Sequence, residues 1–474
     1  VESSTIFFWF DVVFYIGAVG CGLHSLMANR TAQGTLAWML ALFALPYAAV
    51  PLYFVFGRRH FGAYASGLKR AQERVRTKAE VERFLAYEPE SPRHAARGLE
   101  VAEDIGGAGY TTGNCVTLLQ DGYETFEAIF EAIDRAEAYV LVQFYIFRDD
   151  DLGRRLRDRM VAAAGRGVRC CLLYDEIGCF TTPRSYWAGF TKAGVKVSAF
   201  GARRPLRGRF ELNFRNHRKI VVCDGNVAFV GGNNVGDEYL GESKRFGAWR
   251  DAHVRIEGPL VQAAQLAFQQ DWEFAAGEVL PLEWQAQRAE NGNQIAMILP
   301  TGPADNLETG SLMFVAAINS AQKRLWIVSP YFVPDQAVMS ALKLASLRGV
   351  EVRVMVPDKP DHLAVWLAGF DFIEEAERAG IEAYRYTGGF LHQKAVLIDH
   401  DIAMIGTANM DNRSFRLNFE VTVIVADEGF AACVEDMIEK DFEKAREHVE
   451  TDYQQRSVLF KLAVRGARLL APVL

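Results

Sequence analysis

Asn216-His217-Arg218-Lys219-Ile220-Val221-Val222-Cys223-Asp224-Gly225 and Leu391-His392-Gln393-Lys394-Ala395-Val396-Leu397-Ile398-Asp399 are two copies of one string, H-x-K-x4-D. Each is followed at the same distance by a second string, Gly231-Gly232-Asn233-Asn234 in one copy and Gly406-Thr407-Ala408-Asn409 in the other. A lone His-x-Lys on an apolar strand reads as a satisfied structural histidine. Two copies with the same trailing G-x-x-N imply two half-sites, each offering one imidazole and one ammonium to something anionic. Side chains two apart on a strand share a face, so His217 points with Lys219 and His392 with Lys394.

The apolar runs after each motif, Ile220-Val221-Val222-Cys223 and Val396-Leu397-Ile398, read as buried strands bounded by turn residues. Asp224-Gly225 reads as a hairpin turn into Val227-Ala228-Phe229-Val230. The turn therefore competes with catalysis as the role of Asp224 and Asp399. Working outward, Arg166-Gly167-Val168 precedes a run ending in Tyr174-Asp175, as Arg348-Gly349-Val350 precedes one ending in Pro357-Asp358. Val140-Leu141-Val142-Gln143-Phe144-Tyr145 is matched by Leu325-Trp326-Ile327-Val328-Ser329-Pro330-Tyr331. Each half gives strand, helix, strand and then the motif hairpin, which suits an α/β sheet with helical crossovers. Two pseudo-symmetric α/β halves are expected to pack around one shared active site on a pseudo-twofold axis.

These residues resemble the phospholipase D superfamily, whose defining feature is the duplicated H-x-K-x4-D motif, over residues 114 to 443. The strings Asn216 to Ile220, Gly236-Asp237-Glu238-Tyr239, Trp249-Arg250-Asp251 and Asn409 to Glu420 narrow the likeness to the bacterial cardiolipin synthases of that superfamily. The organisation expected is two transmembrane helices in 1–58, a cytoplasmic linker over 59–110, phospholipase D-like halves at 111–285 and 286–452, and a tail helix at 453–474.

Ile6 to Leu26 is apolar except for Asp11 and His24, and Thr35 to Phe56 carries no charge. Each approaches the length needed to cross ~30 Å of hydrocarbon as a helix. No basic stretch precedes the first segment, which argues against a cleaved signal peptide. Pro46 and Pro51 are tolerated in membrane spans. Arg58, Arg59, Lys69, Arg70, Arg74, Arg76 and Lys78 follow the second span, whereas the connecting loop has only Arg30. The positive-inside rule then predicts a multi-pass protein of the bacterial inner membrane with its catalytic part facing the cytoplasm. Asp11 reads either as a functional intramembrane acid or as a carboxylate reaching the headgroup layer. Lys461, Arg465 and Arg468 fall on one face of a tail helix, with Leu459, Leu462, Leu469 and Leu470 on other sides. That pattern suits an anionic membrane surface or docking on the domain itself. Arg203, Arg204, Arg207, Arg209 and Arg215 crowd the approach to the first motif and suit anionic headgroups or a solvated loop.

With 474 residues and a formal net charge of −7, the chain accommodates two spans and one large bilobal domain. The acidic balance argues against nucleic acid as a partner. The seven cysteines show no metal-type spacing, and no nucleotide-binding string is present, so a chemistry needing neither metal nor cofactor is preferred.

Two histidines and two lysines can exchange a phosphodiester. One neutral imidazole attacks phosphorus, and the other, protonated, gives its proton to the departing alcohol and takes one from the incoming alcohol. Lys219 and Lys394 neutralise the non-bridging oxygens. The resemblance implies that Asn234 and Asn409 add hydrogen bonds to phosphate, that His217 is the nucleophile and His392 the acid/base, and that each imidazole leans on a carboxylate. Glu420 follows the second motif; Asp251 is expected to serve the first half, with Asp237 or Glu238 as substitutes. The resemblance further implies phosphatidylglycerol as substrate, with cardiolipin and glycerol as products and a homodimer compatible with the paired anchor. A phospholipase D hydrolase, a phosphatidylserine synthase-type transferase, a tethered nuclease and an inactive lipid-binding scaffold remain as alternatives.

Overall fold

The structure is a computed structural model that describes residues 2–27, 32–57, 64, 86–89, 98–106, 109–201 and 213–474. The basic run from Arg58 to Lys78, Arg30, and Arg203, Arg204, Arg207 and Arg209 lie outside the described residues, as does most of the expected linker. The N-terminal helices form one compact unit, and the α/β body, running on to Leu474, forms a second.

In the N-terminal unit, Glu2–Met27 is one helix whose apolar stretch Phe7–Met27 has a mean hydropathy of 1.5. Among the described residues it is the one helix long and apolar enough to cross a membrane. The single second span expected over 35–56 is instead two helices, Ala32–Ala44 and Pro46–Phe56, of 13 and 11 residues. The physical reason is Pro46: its ring disfavours helical backbone at the preceding residue, and Leu45 leaves the helical region at φ −138°, ψ 57°. The three helices close on Ala18, Cys21, Leu42, Ala49, Val50 and Tyr53. Asp11 accepts a hydrogen bond from the Tyr47 hydroxyl across the helical hairpin.

The α/β body is built on one sheet whose strand order reads the same from both ends. From one edge it runs Lys196–Phe200, Arg169–Asp175, Tyr139–Phe144, Ile220–Cys223, Val227–Gly231, Ala252–Glu257 and Thr111–Gln120. It continues through Gln294–Thr301, Asn418–Ala426, Ile402–Gly406, Ala395–Ile398, Arg324–Val328, Glu351–Pro357 and Glu382–Tyr386, with Ala445–Glu447 added at the far edge. Thr111–Gln120 and Gln294–Thr301 pair antiparallel at the centre, so the pseudo-twofold passes between them. In each half three parallel strands are joined by helical crossovers, Asp151–Gly165 and Arg184–Lys192 in one, Gln336–Leu347 and Leu363–Glu377 in the other. The strands are apolar on both faces because helices cover both. This gives two cores, one around Phe126, Val142, Leu156 and Phe190, the other around Met313, Ile327, Leu342 and Ile373.

Each motif strand turns back antiparallel, Ile220–Cys223 onto Val227–Gly231 and Ala395–Ile398 onto Ile402–Gly406. Asp224 and Asp399 occupy the turns with φ of 55° and 52°, the left-handed region that Asp tolerates better than most side chains.

The tail helix, Val458–Arg468, takes the second of its two expected placements for Arg465 and Arg468, docking on the domain rather than turning them to a membrane surface. Arg465 Nη1 lies 2.5 Å from Asp371 Oδ1, and Arg468 pairs with Asp371 and, at 2.7 Å, with Glu375. Both acids sit on the helix Leu363–Glu377, so the basic face docks on the domain. Val458, Leu459, Leu462, Leu469 and Leu470 remain exposed.

Candidate active site

Two very short strand pairs build the site, and both cross from one half to the other. Arg215–Asn216 pairs in parallel with Asn418–Phe419, and Phe390–Leu391 pairs in parallel with Trp249–Arg250. The next amide extends each ladder: His217 N–H donates to the Phe419 carbonyl at 2.9 Å and His392 N–H to the Arg250 carbonyl at 2.7 Å. The residue after Phe419 is Glu420 and the residue after Arg250 is Asp251. The ladders therefore deliver each carboxylate to the histidine of the opposite half.

His217 Nδ1 lies 2.9 and 3.1 Å from the two Glu420 oxygens, and His392 Nδ1 lies 2.6 Å from Asp251 Oδ2. The expectation that Asp251 serves the first histidine is thus corrected to a crossed arrangement, because strand pairing rather than chain proximity sets the neighbours. Asp237 and Glu238 are elsewhere. Asp237 accepts from the amides of Asp151 and Leu152 at the start of a helix, and Glu238 faces Arg148.

Both carboxylates are fully buried and heavily hydrogen-bonded. Glu420 also accepts from Thr407 Oγ1 at 2.6 Å, Ser414 Oγ at 3.0 Å and Asn418 Nδ2 at 3.1 Å. Asp251 accepts from the Ala252 amide at 2.9 Å. A methyl group on Gly232 would lie 1.9 Å from Asp251 Oδ1, so the second residue of the first G-x-x-N string is glycine because the carboxylate occupies that space. With Nδ1 engaged, each imidazole keeps Nε2 for chemistry.

Lys219 and Lys394 are buried beside their histidines, donating to the carbonyls of His217 (2.7 Å) and His392. Burial drives both ammonium groups down: Lys219 falls well below its ordinary value, and Lys394 falls to about 8 despite Asp251, Glu420, Asp361 and Asp411. Burial, reinforced by the lysines and only partly opposed by the carboxylates, lowers both histidines to about 4. Burial also disfavours ionised Asp251 and Glu420, yet Lys394 and His392 for the first, and His217 and Lys219 for the second, outweigh it and hold both below the ordinary range. The site thus holds two neutral, oriented imidazoles next to two ammonium groups that burial disfavours. An anion placed between them would relieve the lysines and favour protonation of an imidazole.

The remaining expected residues divide. Asn409 is 6% exposed, and its Oδ1 has no hydrogen-bond partner among the described residues, leaving the amide available. Asn234 is committed at both ends, accepting from the Ile146 amide at 3.1 Å and donating to the Tyr239 hydroxyl at 3.2 Å. Asp224 and Asp399 lie at the far ends of the motif strands, which corrects their assignment to catalysis. Asp224 accepts from the amides of Glu137, Ala138 and Tyr139, each at 2.8 Å, and Asp399 from those of Gln322, Lys323 and Arg324. Their charge is spent holding the loops that enter the first parallel strand of each half.

Residues that sequence reasoning missed brace the motifs. Arg218, between His217 and Lys219, donates to Asp271 Oδ1 at 2.9 Å and to the carbonyls of Glu420 and Thr301. Arg250 pairs with Asp441 at 2.7 Å. A repeat could have revealed the two acids, since Asp271-Trp272-Glu273 and Asp441-Phe442-Glu443 occupy matching helices at the end of each half. Aromatic rings wall the site, Tyr145 at 5.0 Å from the His217 ring and Trp249 at 5.0 Å from that of His392.

Comparison with known proteins agrees with this architecture. A family model described as "Cardiolipin synthase, PLD-like domain" matches residues 129–272 and 314–442, and one described as phospholipase D-nuclease N-terminal matches residues 5–58. Cardiolipin synthase A of Pseudomonas putida is 46% identical over 459 residues, covering 95% of each chain. Cardiolipin synthase A of Pseudomonas fluorescens is 46% identical over 464 residues, covering 97% of this chain and 96% of that one. The crystal structure of phosphatidylserine synthase from Haemophilus influenzae superposes with a TM-score of 0.60 at 14% identity, over 79% of this chain and 100% of that one, a likeness of fold.

Proposed function

The chain belongs to the cardiolipin synthase family of phospholipase D-like proteins, and on that footing we propose that it joins two phosphatidylglycerol molecules into cardiolipin through a phosphatidyl-histidine intermediate. The observation that carries the reading is the crossed pair of buried histidine–carboxylate couples with a lysine beside each.

His217 Nε2 attacks the phosphorus of the first lipid while Glu420 holds Nδ1–H and stabilises the positive charge that develops on the ring. The bond from phosphorus to the glycerol headgroup breaks, and His392 passes its proton to the departing oxygen. Free glycerol leaves. A headgroup hydroxyl of the second phosphatidylglycerol then attacks phosphorus as His392 takes its proton, and the phosphorus–nitrogen bond to His217 breaks. One phosphodiester replaces another, so no activated nucleotide is required. Lys219, Lys394 and the Asn409 amide hold the non-bridging oxygens. Preorganised charges in a dry site stabilise the transition state more than they would in water.

The burial pattern supports the division of labour. A histidine lowered to about 4 is neutral at pH 7 and ready to attack, and the second regains basicity once a phosphodiester anion neutralises the lysines beside it.

Proteins of this family work at membranes, and the long apolar helix Phe7–Met27 fits that setting. In our reading the kinked pair Ala32–Ala44 and Pro46–Phe56 completes a second crossing, with the α/β body on the cytoplasmic side. The Tyr47–Asp11 hydrogen bond supports this, since it partners a carboxylate that hydrocarbon would otherwise leave bare. The exposed leucines of the tail helix supply an apolar contact with the bilayer surface.

Product analysis tests the function. Purified protein in phosphatidylglycerol vesicles should release glycerol and form cardiolipin, and His217→Ala should do neither. Phosphatidic acid as the dominant product would replace transfer with hydrolysis.

A further inference from the structure

The two histidines are related by the pseudo-twofold, but the walls beside them are not. After the first parallel strand of each half comes a tyrosine, Tyr145 next to His217 and Tyr331 on the His392 side. Tyr145 has the guanidinium groups of Arg215 and Arg413 in its surroundings. Tyr331 instead donates a 2.5 Å hydrogen bond to Asp361 Oδ2, in the loop after the next parallel strand. Tyr239 stands near it, 6.4 Å ring to ring from His392.

Tyr331 is tied to the reacting centre by its backbone. Ser329 Oγ donates to the Tyr331 carbonyl at 2.8 Å and accepts from the Met410 amide at 3.0 Å, one residue beyond Asn409. Asp361 belongs to the group of carboxylates acting on the Lys394 ammonium. Its side chain keeps 16% of its surface accessible, and Tyr331 is only partly buried, so the pair is not sealed from a ligand. The loops after parallel strands are where open α/β sheets bind ligands.

We infer that Tyr331 and Asp361 form the headgroup clamp, binding the second hydroxyl of a glycerol whose first hydroxyl lies at His392. The inference rests on the phosphatidyl-transfer reading and adds the determinant of acceptor choice. The carboxylate accepts from a diol hydroxyl, and the phenol, whose one proton goes to Asp361, holds that carboxylate in place and offers an acceptor lone pair, whereas the arginine-rich side suits an anion. In-line exchange puts the departing and incoming alcohols at the same place, so one clamp serves the glycerol that leaves and the lipid-borne glycerol that arrives. A water molecule makes no use of it. The clamp therefore also explains why transfer competes with hydrolysis.

The partition of a common intermediate gives the test. Vesicles of phosphatidylglycerol are incubated with labelled glycerol in the water phase, and label entering phosphatidylglycerol is compared with phosphatidic acid formed. Both products descend from the same phosphatidyl-histidine, so their ratio does not depend on how fast it forms. Tyr331→Phe and Asp361→Asn should each lower the glycerol-to-water ratio by about tenfold, the size expected for one hydrogen bond to a charged group. With ethanol as acceptor, which lacks the second hydroxyl, the ethanol-to-water ratio should stay at the wild-type value. An unchanged glycerol ratio overturns the inference, and so does an equal fall for glycerol and ethanol, which marks a general distortion. Loss of all product in both variants overturns it too, because a headgroup clamp does not perform the attack on phosphorus. Wild-type protein that makes no cardiolipin would refute the transfer reading itself, a separate result.

Discussion

The crossed pairing makes the two carboxylates separable by experiment. Glu420→Gln removes the charge that accepts from His217 Nδ1 at 2.9 Å, and Asp251→Asn removes the one that accepts from His392 at 2.6 Å. A hydrogen bond to a charged group contributes about 1.5–3 kcal/mol. Lost only in the transition state, that is about 10- to 150-fold in rate. Misplacing the ring proton adds to this, because the new amide can donate toward Nδ1 and select the other tautomer.

The two variants should lose different steps. With a phosphatidyl ester of a good leaving phenol, departure needs no proton, so His392 is dispensable for the first step. Asp251→Asn should then keep a stoichiometric burst of phenol and accumulate the phosphatidyl-enzyme, while steady turnover falls by about 10- to 150-fold. Glu420→Gln should slow the burst itself by a similar factor. Rapid-quench measurement of phenol and of lipid label on protein reads both. A normal burst in Glu420→Gln with a lost burst in Asp251→Asn would refute the crossed assignment, and equal loss of burst in both would refute the division of roles.

Lys394 loses its charge as pH rises through about 8, so kcat/KM should decline on that side, and bound substrate should move the fall upward; a profile flat to about pH 9 contradicts its role. Asp224→Ala should leave turnover at low temperature within a few-fold of wild type yet cost about 1–3 kcal/mol of stability, read as a lower thermal midpoint, since it frees three backbone amides. Gly232→Ala should cut activity about as deeply as Asp251→Asn with little change in membrane recovery, because the added methyl group meets Asp251 at 1.9 Å; near-normal activity would show that the carboxylate has room to shift.

The repeat was readable because it is written in residues of fixed purpose: histidine, lysine, and the glycine and asparagine that bound the second string. The succession of strand, helix, strand and motif hairpin in each half followed from the apolar runs around those motifs. What local pattern could not give is who faces whom. Glu420 stands 203 positions from His217, and only the two-residue ladder Asn418–Phe419 against Arg215–Asn216 brings them together. Asp224 and Asp399 carry the same letters as catalytic acids, so the sequence left a turn competing with catalysis, and the backbone amides they accept from favour the turn. The basic face at 458–468 stayed open between membrane and domain because nothing local to the helix shows that buried Asp371 lies within reach of Arg465 and Arg468. The break at Leu45 was foreshadowed by Pro46, which signals a kink without fixing its depth.

The same two-residue ladders bear on how the protein is made. A ribosome delivers His217 long before Glu420, and domains of a growing chain tend to fold from the N-terminal side. During that interval the first histidine has no carboxylate to fix its tautomer, and until His392 is made it has no second imidazole opposite. An interrupted translation product ending before Glu420 would reach the membrane surface chemically silent. Competence toward lipid arrives only with the last central strand, so the duplicated architecture guards the bilayer against half-finished copies of its own enzyme.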